Sequence, residues 1–276
     1  MVWAFNNAVQ SLCRALLRPF AEMDPWVALG VVSFLIALLA LVSFKFVSNQ
    51  SRLRSARNRA LAHVLELHLY RDDLLGVFSI FGRILLATLV YLRQSLAPLV
   101  ILLLPLGIFF IHLAAWFECQ PLRPGEPALL TVRLDSAHPV LQTSVAVTNS
   151  TGLRVEQPAF VSAAENEIVW RLIPQMDLTA GWVEVTVAGT ALRKSVTVSP
   201  WLKSVSSRRV RGSSWNSLLY CAEPPLPRDC PVAFIELAYP PRHYYLGATD
   251  VNWILAIFVI SLAFGLVLRH PMRVEF

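Results

Sequence analysis

The side chains that could do chemistry are few and scattered. His68 and Asp72 stand four apart in a helix-patterned stretch, so both could face one metal ion, but no third ligand lies near them. The nucleophile-elbow pattern G-x-S-x-G, the zinc pattern H-E-x-x-H and the phosphate-binding pattern G-x-x-x-x-G-K followed by Ser or Thr are all missing. The cysteines are Cys13, Cys119, Cys221 and Cys230, without a C-x-x-C pair, which argues against a zinc ribbon or a thioredoxin-type site. Cys221 and Cys230 are close in sequence and could form a disulfide outside the cytoplasm; the alternative is two unpaired thiols in a loop. These observations give a non-enzymatic reading, with no catalytic residue, metal or cofactor assigned.

Ionisable residues inside apolar runs are a second class of candidate. Arg83 and His112 are such residues, and a charge within a membrane is costly and often functional. Arg83 could instead snorkel to a membrane surface, and His112 could sit at the outer end of its span beside Trp116. Arg52, Arg54, Arg57 and Arg59 form a basic set for partner binding in Lys45 to Asp73, whose alternative role is orientation alone. Arg208, Arg209 and Arg211 end the run KSVSSRRVR, which could meet lipid phosphates or an acidic partner, or could be an exposed loop. Asn149-Ser150-Thr151 fits a glycosylation acceptor.

The elements that carry these residues follow from hydropathy. Of 276 residues, 55% are hydrophobic and 15% charged. Soluble domains average about a quarter charged, so the deficit points to a membrane. The net charge of +6 is spread over a membrane-flanking loop, the short basic run and the tail, which fits topology signals and anionic lipid better than DNA or RNA. Residues 1–24 read as a helix lying along the bilayer, with Trp3 and Phe5 near the head groups. Residues 25–44 carry no charge and are long enough to span. Glu22 and Asp24 before that run and basic residues after it place the N-terminus outside. Residues 45–95 form a cytoplasmic amphipathic segment, including an apolar stretch at 74–92 that is amphipathic or partly inserted. Spans follow at 96–117 and 249–268, and a tail at 269–276 carries Arg269, His270 and Arg273 inside. Were 74–92 also to cross, those tail charges would lie outside.

Between the last two spans, residues 118–248 show short alternating runs: Ala128 to Leu134, Ser144 to Asn149, Ile168 to Leu172, Val183 to Val187, Lys194 to Ser199 and Pro231 to Ala238. The expected architecture is an α-helical membrane protein with three transmembrane helices and an extracytoplasmic all-β domain, an immunoglobulin-like sandwich.

This layout, with Ser48 to Asp73 after the first span and two further spans at 96–117 and 251–268, resembles the three-span core of the Oxa1/YidC superfamily of membrane insertases. The resemblance implies a cytoplasmic helical segment that captures ribosomes or nascent chains, and a polar groove in which only Arg83 could serve. The large β-domain between the spans departs from that family. The expected function is therefore an insertase-like or membrane-protein assembly factor. Its alternative is a structural or accessory subunit of an envelope complex, with the sandwich as binding module. Expected partners are the lipid bilayer and membrane or envelope proteins. The expected location is a bacterial inner membrane, N-terminus out and C-terminus in.

Overall fold

A computed structural model describes residues 2–47, 74–212 and 214–272. The N-terminal helix α1 (Val2–Leu17) and a 3-10 turn at Arg18–Phe20 lead to α2 (Pro25–Val47), and α3 runs from Leu74 to Phe117. The β-rich part contains β1 (Ala128–Leu134), β2 (Val145–Asn149), β3 (Leu153–Val155), β4 (Phe160–Ser162), β5 (Glu167–Pro174), β6 (Leu178–Val187), β7 (Thr190–Val198) and β8 (Arg208–Val210). A short helix α4 (Ser214–Leu219), strands β9 (Val232–Leu237), β10 (Tyr245–Leu246) and β11 (Thr249–Asp250), and α5 (Trp253–Met272) complete it. The chain forms two compact units, Met1–Leu29 with Ile108–Trp253, and Gly30–Gly107 with Ile254–Phe276.

In the first unit all strand pairing within the sheets is antiparallel. The largest sheet has the order β3-β5-β1-β9-β8, with β4 also paired to β5; β2-β6-β7 and β10-β11 form two more sheets. Strand alternation explains the core. Leu130 and Val132 of β1, Trp170 and Leu172 of β5, and Ile235 and Leu237 of β9 share one apolar cluster with Val183, Val185 and Val187 of β6 and Val196 and Val198 of β7. Burying each such side chain contributes about 1.5–3 kcal/mol. The β6–β7 hairpin turns on Ala188 and Gly189, with φ of 47° and 82°, the backbone of a two-residue hairpin loop whose twist matches its strands.

Pro25 opens α2, and Asp24 caps it by accepting the Trp26 N–H on Oδ1 at 2.8 Å. Two helices are long and apolar enough to cross a membrane, with windows at Pro25–Ser43 and Trp253–Pro271. Only 17% of the second window is buried, whereas the core helix of a water-soluble domain would be mostly covered.

One expectation is corrected. Residues 74–92 and 96–117 were expected as separate segments, but α3 is continuous over 44 residues, about 66 Å at 1.5 Å per residue. Arg93-Gln94-Ser95 contains no Gly or Pro to break it, and the later Pro98 and Pro105 remove single hydrogen bonds without ending the helix.

Candidate functional site

Arg52, Arg54, Arg57 and Arg59, with His68 and Asp72, lie outside the described residues. Arg83 belongs to the first quarter of α3. His112 is fully buried, and neither ring nitrogen has a hydrogen-bond partner.

Of the two alternatives for Cys221 and Cys230, the structure shows unpaired thiols; all four cysteines are free. The reason is where the two side chains go. Cys230 belongs to the β core, its Sγ 3.1 Å from the Val232 carbonyl. Cys221 follows α4 and turns toward the helices, with Gln10 Nε2 donating to its Sγ at 3.3 Å and the Ile111 carbonyl at 3.8 Å. Burial pushes the thiols of Cys13 and Cys119 up to about 11 and raises that of Cys221, so they stay protonated at neutral pH.

In the basic run each arginine has a partner within the domain, while the side chains of Arg208 and Arg211 stay 34% and 30% exposed. Arg208 donates to Glu236 at 2.5 Å and lies 4.5 Å over the Phe234 ring. Arg209 donates to the carbonyls of Pro224 and Arg193. Arg211 donates to Asp135 at 2.8 Å. Each guanidinium ties β8 to a neighbouring segment.

Three features are added by the structure: two networks that the sequence reading did not contain, and the contacts of Tyr244 and Trp253, which it read as marking the outer interface of the last span. The first is a buried network around Lys194, which is fully enclosed. Its ammonium donates to the Ser206 carbonyl at 2.5 Å, to Ser206 Oγ at 2.9 Å and to Glu223. Glu223 also accepts from the Ser195 N–H at 2.6 Å and the Ser206 hydroxyl at 2.7 Å. Burial pushes the Glu223 carboxyl up, but Lys194 and the other donors outweigh it and hold the carboxyl below its ordinary range. Burial pulls Lys194 in the direction of its neutral form, yet with three acceptors around the ammonium the ionised pair is the state the geometry specifies. A signal existed, because β7 alternation places Lys194 on the same face as Leu192, Val196 and Val198.

The second feature is a polar seam where α1 packs on the first unit. Asn6, Gln10, Cys13 and Leu17 form the buried face of α1. Asn6 donates to the Ser217 carbonyl of α4, and Gln10 accepts from Trp116 Nε1 of α3 at 3.4 Å. Phe5 and Leu12 remain 49% and 64% exposed. The helix thus buries two amides beside Cys13 and Leu17, while one flank of its outer side leaves Phe5 and Leu12 uncovered and another carries Arg14. Beside the seam, a cavity of about 110 Å³ is lined by Ile111, Ala115, Cys119, Ser206, Arg208 and Cys221.

The third feature is a collar around Tyr244. Its hydroxyl donates to the Phe117 carbonyl at 3.1 Å, and its ring meets Trp26 edge-on at 5.6 Å. Phe117 stacks on Trp253 at 6.3 Å.

Among the described residues, no three His, Cys, Asp or Glu side chains gather as metal ligands would. Lys194, Ser206 and Glu223 satisfy one another, a geometry that stabilises loops. No protein family matches the chain, and no curated protein or solved structure matches it either, so the geometry alone supports a functional reading.

Proposed function

We propose that the chain is a non-enzymatic integral membrane protein with three spans. It acts as an assembly or accessory subunit and binds a protein partner through an immunoglobulin-like sandwich made of its two larger sheets. One observation carries this reading. Strand β4 pairs with β5 alone, and on it Phe160 and Val161 are 69% and 43% exposed. Leu129 adds a further 52% exposed apolar side chain on the same outer face, since Phe160 stands opposite Val169 and Leu129 opposite Arg171, two residues along β5. A sheet edge with uncovered apolar side chains is a place where another chain adds contacts or a strand. In the basic run, by contrast, each guanidinium already has a partner within the domain.

The insertase-like reading draws on a different observation. At 44 residues, α3 is about twice the length a bilayer needs, so it extends past one span toward the basic segment and carries Arg83 with it.

Photo-crosslinking in intact membranes from Phe160 and Arg57, with captured partners identified by mass spectrometry, separates the two. Capture of one defined membrane or envelope protein from Phe160 supports the accessory role. Ribosomal proteins or many nascent membrane chains captured from Arg57, with nothing from Phe160, would sink it in favour of the insertase-like role.

A further inference from the structure

Arg242 lies two residues before the collar tyrosine. Its backbone N–H bonds to the Glu118 carbonyl at 2.9 Å, and the neighbouring Pro241 forms a β-bridge with Cys119, so its backbone is fixed just beyond the end of α3. Its side chain is less well served. Nε and Nη2 are both buried without an acceptor. Arg133, Arg193, Arg208, Arg211 and Lys194 each have a carboxylate within 3 Å, and Arg242 has none among the described residues. A guanidinium keeps its charge at any physiological pH, so burying it unpaired is expensive. The carbonyl end of α3 offers a favourable potential but no acceptor at bonding distance. Burial pulls the Arg242 pKa down, Tyr244 and Cys119 work against it, and Arg123 adds a smaller pull in the same direction as burial.

The surroundings indicate what kind of anion would fit. Trp26, Tyr244 and Trp253 stand where α2 and α5 begin and α3 ends. Such aromatic side chains mark the head-group level of a bilayer. The planar fork of an arginine matches the oxygens of a phosphate.

We propose that Arg242 binds a phosphate group at the head-group level, either the phosphodiester of an anionic lipid or a free phosphate ion. The lipid source rests on the membrane reading above, while the free-ion source does not.

The test is native mass spectrometry of the full chain released from micelles doped with phosphatidylglycerol or with diacylglycerol, which has similar chains and no phosphate. We expect the wild-type chain to retain phosphatidylglycerol about tenfold better, the size of a charge-assisted hydrogen bond. Arg242→Gln should lose that preference, Arg242→Lys should keep part of it, and Arg133→Gln should keep all of it. If the ion is free phosphate, inorganic phosphate titrated against chloride at equal ionic strength raises the Tm of the wild type and not of Arg242→Gln. The proposal is overturned if wild type shows neither the lipid preference nor the Tm rise, or if Arg242→Gln retains both. Should Arg242→Gln fail to fold, the two wild-type comparisons still decide. Flotation of the wild-type chain with vesicles separates the two readings. A chain that floats but shows no phosphate preference sinks the site alone. A chain that does not float sinks the membrane reading and leaves the site to the phosphate titration.

Discussion

Lys194 carries a charge at a strand position where alternation calls for an apolar side chain. It is tolerated because Glu223, Ser206 and the Ser195 amide complete a closed set of hydrogen bonds. Lys194→Ala leaves the Glu223 carboxylate without its cation, and breaking one side of a buried pair costs about 3–5 kcal/mol. The double replacement Lys194→Met with Glu223→Gln removes both charges and keeps an acceptor for the Ser195 amide, so it should recover most of that loss. Denaturant unfolding of the full chain in detergent, followed by tryptophan fluorescence, measures both; equal losses would show that the ion pair is not what matters. The pair also sets an acid limit. The folded Glu223 pKa is depressed from its ordinary value of 4.5, so its contribution is complete above that value and is lost as pH falls through the lower folded one. The Glu223→Gln chain should therefore show a flatter stability profile below about pH 4.5, and a profile parallel to wild type would contradict the linkage. Only half of this network was legible in the sequence. The period-two pattern of β7 points Lys194 inward, but Glu223 is 29 residues away in a loop, and nothing local announces that pairing.

At the scale of elements, α1 is the most informative, because its buried face carries two amides beside Cys13 and Leu17. Asn6 and Gln10 turn toward the protein, Phe5 and Leu12 point outward seven residues apart in one direction, and Arg14 projects from the opposite flank. A helix in water would expose Asn6 and Gln10 and bury Phe5 and Leu12. The arrangement is stable if the outer apolar flank rests in lipid and the basic flank faces head groups and water. A fluorophore at Leu12→Cys should thus be quenched by lipid-attached nitroxides and protected from aqueous iodide, while one at Arg14→Cys should behave in the opposite way. Equal iodide quenching at both positions would rule the placement out. Cys13, Cys221 and Cys230 are buried, and the half-buried Cys119 is replaced by serine in both variants so that only the introduced thiol reacts. Element identity was largely readable from pattern: β1 occupies Ala128–Leu134, and β9 falls within Pro231 to Ala238. What pattern does not carry is pairing. β1 lies between β5 and β9, strands about forty and one hundred residues downstream, and that order comes from long-range packing. The short edge strands β3, β4 and β8 have too few residues to show a period, and β8 was hidden inside a run read by its charge.

At the scale of the molecule, the docking of α1 bears on how many times the chain crosses. Asn6 bonds to Ser217, Gln10 to Cys221, and the Leu202 amide to the Ala21 carbonyl, so the N-terminal segment and the β-rich part belong to one compact unit. Two segments packed in this way share one side of a membrane. The number of crossings between them must then be even. If α2 crosses once, α3 must cross once as well, and as an unbroken helix it has no turn for a second pass. A second crossing within 74–92 would carry the β-rich part to the far side and break every one of those contacts. Lys45 stands in the last turn of α2, and Arg269 and His270 stand in the last turn of α5, so a three-span topology of the kind proposed above would put these basic ends in the cytoplasm, as expected of such residues. Single cysteines at Ser48 and Arg273 should therefore react with a membrane-impermeant maleimide only after the bilayer is opened, and one at Leu141, which is 76% exposed, should react in intact cells. If the Ser48 and Leu141 cysteines are labelled from the same side, α3 does not cross, and the docking of α1 would have to be reconciled with a single re-entrant pass. If Ser48 and Leu141 differ but Arg273 reacts with Leu141, the helix α5 lies along the membrane rather than through it.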